Sequence, residues 1–443
     1  MPDISTPTRS ATTSPRQELK QLLRGCKSFP ATFSIPHQVN VSSWLASQTF
    51  ATKTLWSDRD NDITIAGTGQ ARRVVADSSK NMDDVIRQCR EILRGTTDVR
   101  FFGGFSFRRD DYEPSPEWAP FWHAQFVLPR FTHDGRFLRC VVMDEDDATR
   151  AARDIDALCE ATPQTVAIPA PVNRIDYPCK SQWQTNVEDA LELFETEVVE
   201  KVVLARRADF TFAETLSPIR LTQQLMAATP SCYHFCFQFD EGAAFIGATP
   251  ERLIQRHGHR LLSEVVAGTR PRGQDEQLDQ ELATELLASA KDQLEHDIVR
   301  KSIRQRLHKY VNALEVDSQA SILKLARKQH LYSGVRATLK ADISDGELLE
   351  RLHPTPAVGG YPTENALTEI ARIEEFDRGW YAAPVGYVTP VAAEFAVAIR
   401  SGLVCDNMLS LFSGAGIVPG STHEEEWNEI EHKISDFLEI IGR

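Results

Sequence analysis

No stretch of this sequence holds the roughly 18 consecutive apolar residues that a membrane-crossing helix needs. No CxxC pair occurs either. The eight cysteines are scattered singly from Cys26 to Cys405, which gives no disulfide framework and reads as reduced thiols of a cytoplasmic protein. Cys232 and Cys236, alternating with aromatics in YHFCFQF, read as strand interior. Basic residues are in deficit. Against 63 Asp and Glu stand 49 Lys and Arg, a formal net charge of −14, which argues against nucleic acid or an anionic membrane as partner. Residues 1–16 are rich in Ser, Thr and Pro and lack an apolar h-region, so they read as a disordered tail rather than a signal peptide. What is present is ordinary for a globular protein: 42% hydrophobic and 25% charged residues, enough for a large core. An anionic ligand of so acidic a chain must be met by local cations or by a metal ion.

Hydrophobic patterning predicts helices at 17–25, 81–93, 144–161, 183–197, 217–227, 344–352 and 365–375, and one or two within 276–311. In the last of these, Leu278, Leu282, Leu286 and Leu287 fall at core spacing. Strand patterns occupy 29–35, 54–64, 100–107, 121–128, 137–143, 200–212, 329–339 and 379–389. The segments 233–239, 243–248, 252–256 and 260–267 read as successive antiparallel strands. Gly103-Gly104 marks a bulge or a close backbone approach. The proline-dotted stretch 162–178 reads as a connection. Many strands with helices between them predict an α+β fold built on large antiparallel sheets.

The C-terminal stretch 394–443 is the most informative. After two apolar runs, Gly414-Ala415-Gly416 reads as a turn able to offer backbone N–H groups to an anion. Ser421 and Thr422 then open a helix with Trp427, Ile430, Ile434, Leu438 and Ile441 on its buried seam. Glu426, Glu429 and Lys433 share one stripe beside that seam. Such a stripe is ordinarily a solvated face. The nearby Arg400 and a second acidic pair, Asp292 and Glu295, on another helix make an anion or metal site the competing reading.

At Lys201, 247–253 (GATPERL), 265–273 (VVAGTRPRG), 291–299 (KDQLEHDIV), 353–358 (HPTPAV), Arg400, 414–418 (GAGIV) and 426–433, the sequence resembles the chorismate-utilising enzymes. That family includes isochorismate synthases, salicylate synthases, anthranilate synthase large subunits and aminodeoxychorismate synthases. HPTPAV and GWYAAPVGY at 379–387 are most similar to the isochorismate synthase branch, the menaquinone type above all. A weaker likeness at 101–107 (FFGGFSF) and 123–131 (HAQFVLPRF) extends toward the N-terminus. The resemblance implies two β-sheets packed face to face with helices outside. Residues 17–175 form the N-terminal part of that unit, and 176–443 the chorismate-binding catalytic region.

It also implies a reaction. Water adds at C2 of chorismate while the C4 hydroxyl leaves, with Mg²⁺ bound. Lys201 matches the base and Glu251 the acid. Glu295 and Glu429 match the direct metal ligands, and Asp292 and Glu426 the outer pair. Tyr381, Arg400, Gly414, Gly416 and Lys433 match the groups that hold a substrate carboxylate. Gly268 and Thr269 line the ring, and His353 closes the pocket near the enolpyruvyl ether. An ordinary lysine titrates near ~10.4, and a base working at neutrality needs something nearer ~7. Burial, or Arg206 and Arg207 nearby, are the expected means. Lys201 together with Ala267 favours water over an amine as nucleophile, so no glutaminase partner is expected, and the chain acts as monomer or homodimer. The product would feed menaquinone, siderophore or salicylate synthesis. The rival readings are a salicylate synthase and a non-catalytic chorismate-binding subunit. A carboxylate–metal hydrolase finds no His-rich ligand set to support it.

Overall fold

The computed structural model describes residues 14–60, 63–108, 112–162, 167–341 and 343–442. Among these, the alternating segments pair into two antiparallel sheets, one of 12 strands and one of 10. Inward-facing side chains fill the space between them: Trp56, Phe235 and Phe245 from the first sheet, and Phe101, Val385 and Phe395 from the second. The helices Val41–Ser47, Pro218–Ala228 and His423–Ile440 cover the outer face of the first sheet, closing a second core around Leu45, Leu225 and Phe437. This is the expected α+β architecture. No helix among the described residues is long and apolar enough to cross a membrane, and all eight cysteines are free thiols.

Early and late parts of the chain interleave. Strand Lys53–Ser57 pairs with Tyr233–Gln238, and Phe101–Phe105 with Pro384–Val388. Gly103 proves to be a close approach: a Cβ there would stand 1.9 Å from the carbonyl oxygen of Gln125 on the next strand.

Several expectations need correction. Of the expected tail, residues 1–13 lie outside the described residues. Ser14 and Gln17 form a reciprocal capping box, so the first helix starts at Pro15. The 54–64 segment is two strands, Lys53–Ser57 and Thr64–Thr68, and the helix Val41–Ser47 and strand Arg72–Ala76 were not anticipated. Within the supposed connection, Asn173–Tyr177 is an edge strand on Lys201–Thr211, while 163–166 lie outside the described residues. The long helical stretch breaks into Glu276–Ala288 and Ala290–Leu307 at Ser289, whose side chain caps the second helix. On the first of these, Leu278 and Leu287 are exposed. The buried face is Asp279, Ala283 and Leu286, because Arg272 and Lys324 satisfy the Asp279 carboxylate.

One buried histidine with a half-buried partner near the N-terminus makes folding pH-sensitive. His133 Nδ1 accepts from the Gly135 N–H at 2.8 Å, so its other nitrogen donates to His37 Nδ1 at 3.1 Å. Burial, with His37 beside it, pushes the His133 imidazole down to about 4. The unfolded chain therefore binds more protons between about 6.5 and 4. Stability is fully present above that window and falls as pH drops through it, by on the order of 3 kcal/mol. A thermal-melt series from pH 7 to 4 should show this decline, and His133→Asn should flatten it.

Candidate active site

Two points where the chain passes between the sheets meet at one end of the core. Strand Ala243–Thr249 lies in the first sheet and Arg252–His257 in the second, so the supposed run of successive strands is split at Pro250-Glu251. Proline cannot donate to a ladder, and the first strand ends there. The return crossing, between Ala392–Val397 and Ser401–Cys405, carries Arg400. Each crossing is bonded to the other's strand: the Val397 N–H donates to Glu251 O at 3.0 Å, and the Ala248 N–H to Arg400 O at 3.1 Å. Arg400 adopts φ +50°, a left-handed conformation that costs an L-residue on the order of 1 kcal/mol. Tertiary bonds hold it there.

A cleft opens beside these crossings. Nine of the residues singled out from the sequence line it: Glu251, Gly268, Thr269, Glu295, Tyr381, Arg400, Gly414, Glu429 and Lys433. Lys201 reaches the same wall from behind, where its fully buried Nζ donates to Glu295 Oε1 at 2.8 Å. Gly268 and Thr269 enter the cleft on a bulge, since the register of Arg260–Pro271 against Lys328–Leu339 shifts between Ala267 and Arg270.

Gly414 and Gly416 are not a turn. They lie in strand Met408–Ile417, opposite Ala205 and Val203 of Lys201–Thr211. Their lack of a side chain makes room. A Cβ on Gly416 would stand 2.7 Å from Glu295 Oε1 and 2.9 Å from Lys201 Cε. Alternation reads the same in a strand and in a glycine-rich turn, and only the partner strand distinguishes them. Gly414 offers its carbonyl oxygen to Lys433 Nζ at 2.9 Å.

Five other residues singled out from the sequence fall outside the cleft wall. His353 is buried with its Nε2 3.2 Å from Phe107 O and its ring edge-on to Phe107, while Ala357 and Val358 of the same loop face the cleft. Asp292 pairs with Arg270 at 3.0 Å, and Glu426 with Lys291 at 2.6 Å. Arg206 and Arg207 turn away from Lys201, the first to Glu431 and the second to Asp209 and Glu117.

His330 was missed. It lines the cleft and links two site elements, its Nδ1 3.0 Å from Gly268 O and its Nε2 2.6 Å from Arg400 Nη2. Burial and the adjacent Arg400 hold the imidazole well below its ordinary range. It is therefore neutral, with Nδ1 carrying the proton and Nε2 accepting from the guanidinium. The available signal was Lys328-Gln329-His330, three consecutive polar residues, all buried, opening a strand.

The charges are arranged in opposed pairs. Burial, reinforced by Glu264, pushes the Glu251 carboxyl up to about 8, although Lys201, Lys433 and Arg400 pull the other way. Burial also acts on Glu295, but Lys201, then Lys433 and Lys291, bring it below the usual carboxylate range. Burial raises Asp292 and Glu426, and the neighbouring carboxylates add to both shifts. Burial opposes the Lys433 ammonium, but Glu429 and Glu295 hold it above its ordinary value.

The chorismate binding enzyme family matches residues 19–442. The chain is a chorismate-binding enzyme. It is 35% identical over 404 residues to isochorismate synthase 2, chloroplastic, of Arabidopsis thaliana, covering 87% of this chain and 72% of that protein. With isochorismate synthase MenF of Escherichia coli (strain K12) it shares 32% identity over 426 residues, 94% of each chain. The solved structure of MenF, the menaquinone-specific isochorismate synthase from Escherichia coli, superposes with a TM-score of 0.84 at 30% identity, covering 96% of this chain and 98% of that one. The cleft of this chorismate-binding enzyme is thus set in a fold shared along almost its full length.

Proposed function

We propose that the protein is an isochorismate synthase, converting chorismate to isochorismate by adding water at C2 and releasing the C4 hydroxyl. The observation that carries this reading is the pairing, at one cleft, of a buried lysine with a carboxyl held protonated up to about pH 8. Lys201, acting as the neutral amine, takes a proton from the attacking water. The two ring double bonds shift, and Glu251 protonates the departing hydroxyl so that it leaves as water. Water enters and water leaves, so the reaction is an isomerisation. The site resets when the proton gained by Lys201 returns to Glu251. Ala267 lines the cleft and presents no nucleophile of its own, which supports water in that role.

Chorismate carries two carboxylates. Arg400, oriented by neutral His330, and Lys433 supply the positive side of the cleft, and Tyr381 stacks on Phe412 beside Gly414. Arginine binds a carboxylate through two parallel N–H bonds, which fixes its orientation. His353 supports the Ala357–Val358 wall from behind.

The acidic cluster fits a hard divalent cation such as Mg²⁺. Its donors are all carboxylate oxygens, burial and the neighbouring carboxylates raise the proton affinity of Asp292 and Glu426, and one buried oxygen of Glu426 has no hydrogen-bond partner. Among the described residues no three such groups converge into a finished cage, because Lys201, Lys433, Lys291 and Arg270 each hold one carboxylate in an ion pair. Glu295 and Glu429 would hold the ion and Asp292 and Glu426 its waters. Bound there, the ion would neutralise these acids and draw in a substrate carboxylate. Exhaustive chelation is expected to reduce turnover at least about 100-fold with recovery on adding Mg²⁺, while Na⁺ at matched ionic strength restores nothing.

Incubating the protein with chorismate and Mg²⁺ tests the whole reading. Isochorismate should form to an equilibrium mixture with chorismate. Salicylate appearing without a second enzyme would make it a salicylate synthase, and no product at all would leave a binding subunit. Menaquinone or siderophore synthesis would consume the product, the former being the role named for the Escherichia coli structure.

A further inference from the structure

The Pro250–Arg252 crossing is gripped on both sides of Glu251 by residues with no place on the cleft wall. Arg59, from the loop after Lys53–Ser57, donates from Nη1 to Pro250 O at 2.8 Å and from Nη2 to Glu264 Oε2 at 3.0 Å. Glu264, in strand Arg260–Pro271 with a fully buried side chain, accepts the Arg252 N–H at 2.8 Å on its other oxygen. Glu251 itself makes no ion pair among the described residues. We propose that Glu264, held by Arg59, is a positioning residue for Glu251: it fixes the crossing that aims the carboxyl and sets a buried negative charge beside it, so that Glu251 enters each turnover carrying its proton. This rests on the reading of Glu251 as proton donor.

The neighbouring charges make such a device necessary. Lys201 from its strand, Lys433 from the C-terminal helix and Arg400 from the return crossing all favour ionised Glu251, and the Tyr381 hydroxyl faces it from a fourth element. Glu295 and Glu429 line the same cleft from two further helices, but of the charged groups acting most on Glu251, Glu264 is the strongest, ahead of each of these three cations, and it opposes them by keeping the proton on. A site that must bind a dianion needs the cations. A site that must also deliver a proton needs something to counter them.

The test is the pH dependence of kcat together with infrared difference spectroscopy of the buried carboxyl. The Glu251 band is the protonated C=O stretch missing from Glu251→Gln. Glu264→Gln keeps an oxygen for the Arg252 N–H but removes the charge, and should move both the alkaline limb of kcat and the titration of that band down by about one pH unit. At pH 8.5 kcat should then fall about tenfold relative to wild type, with little change at pH 6. Glu264→Asp, which keeps the charge, should restore the limb. Should Glu264→Gln fail to fold with Arg59 left unpaired, Arg59→Met/Glu264→Gln removes both charges and the same two readouts apply. A limb and band that stay in place, or a loss of kcat uniform across pH, overturn the proposal. If Glu251→Gln turns over normally, the donor reading itself fails. A dead Glu251→Gln with an unmoved limb in Glu264→Gln sinks this inference alone.

Discussion

Replacing Lys201 with alanine is expected to lower kcat by about 10²- to 10⁴-fold, the usual contribution of a positioned general base. The fall should appear in kcat rather than KM, because the groups proposed to hold the substrate, Arg400 and Lys433, are untouched. A structural explanation competes: Lys201 is buried, and its loss strips Glu295 of an ion pair. Two observations separate them. Lys291 and Lys433 also act on Glu295, so its carboxylate keeps cationic neighbours and the variant should stay folded. Small primary amines added to Lys201→Ala should recover part of the rate, since they fit the space left by the side chain and carry the missing base. A folded Lys201→Ala with wild-type turnover would remove Lys201 from the mechanism.

Glu251→Gln is expected to lose activity on the same scale while gaining stability. The amide cannot give up a proton, so the C4 hydroxyl must leave unassisted. The stability gain follows from linkage. The carboxyl rises from 4.5 unfolded to about 8 folded, so the folded protein binds more protons between those values. Its contribution to stability is complete below 4.5 and is lost as pH climbs toward 8. At pH 7 the wild type has given up on the order of 3 kcal/mol that a neutral amide does not lose. Thermal melts at pH 5 and pH 8 should show Glu251→Gln overtaking the wild type as pH rises. An active variant, or one destabilised equally at both pH values, contradicts the assignment. Activity gained at the expense of stability is what a functional residue leaves behind.

Much of the candidate site was legible because its residues sit in short motifs that resemble those of the chorismate-utilising enzymes. GATPERL supplied Glu251, and the KDQLEHDIV and EEEWNEIEHK helices supplied carboxylates at helical spacing. The misreadings have one physical origin. Secondary structure follows from neighbours in sequence, while sheet membership follows from partners far away in it. The 243–248 and 252–256 segments both read as strands, and both are strands. Nothing local reveals that the first pairs with Ser401–Cys405 and the second with Ala392–Val397. Gly414 and Gly416 carried turn chemistry that their pairing with Lys201–Thr211 overrides. His330 carried no motif, and its role appears only where Arg400 and Gly268 arrive from other strands.

The sequence by itself determined the family, the α+β class, the reaction chemistry on offer, and which side chains could take or give a proton or hold an anion. Hydrophobic patterning suffices for the class; the family, the reaction and the residue roles came through motifs that resemble the chorismate-utilising enzymes. Tertiary structure alone decided the rest. It put Glu251 and Arg400 on adjoining crossings, turned Lys201 onto Glu295, moved His353 behind the wall and brought His330 onto it. It also set the state of Glu251, because a carboxyl's proton affinity depends on burial and on charges brought from distant strands.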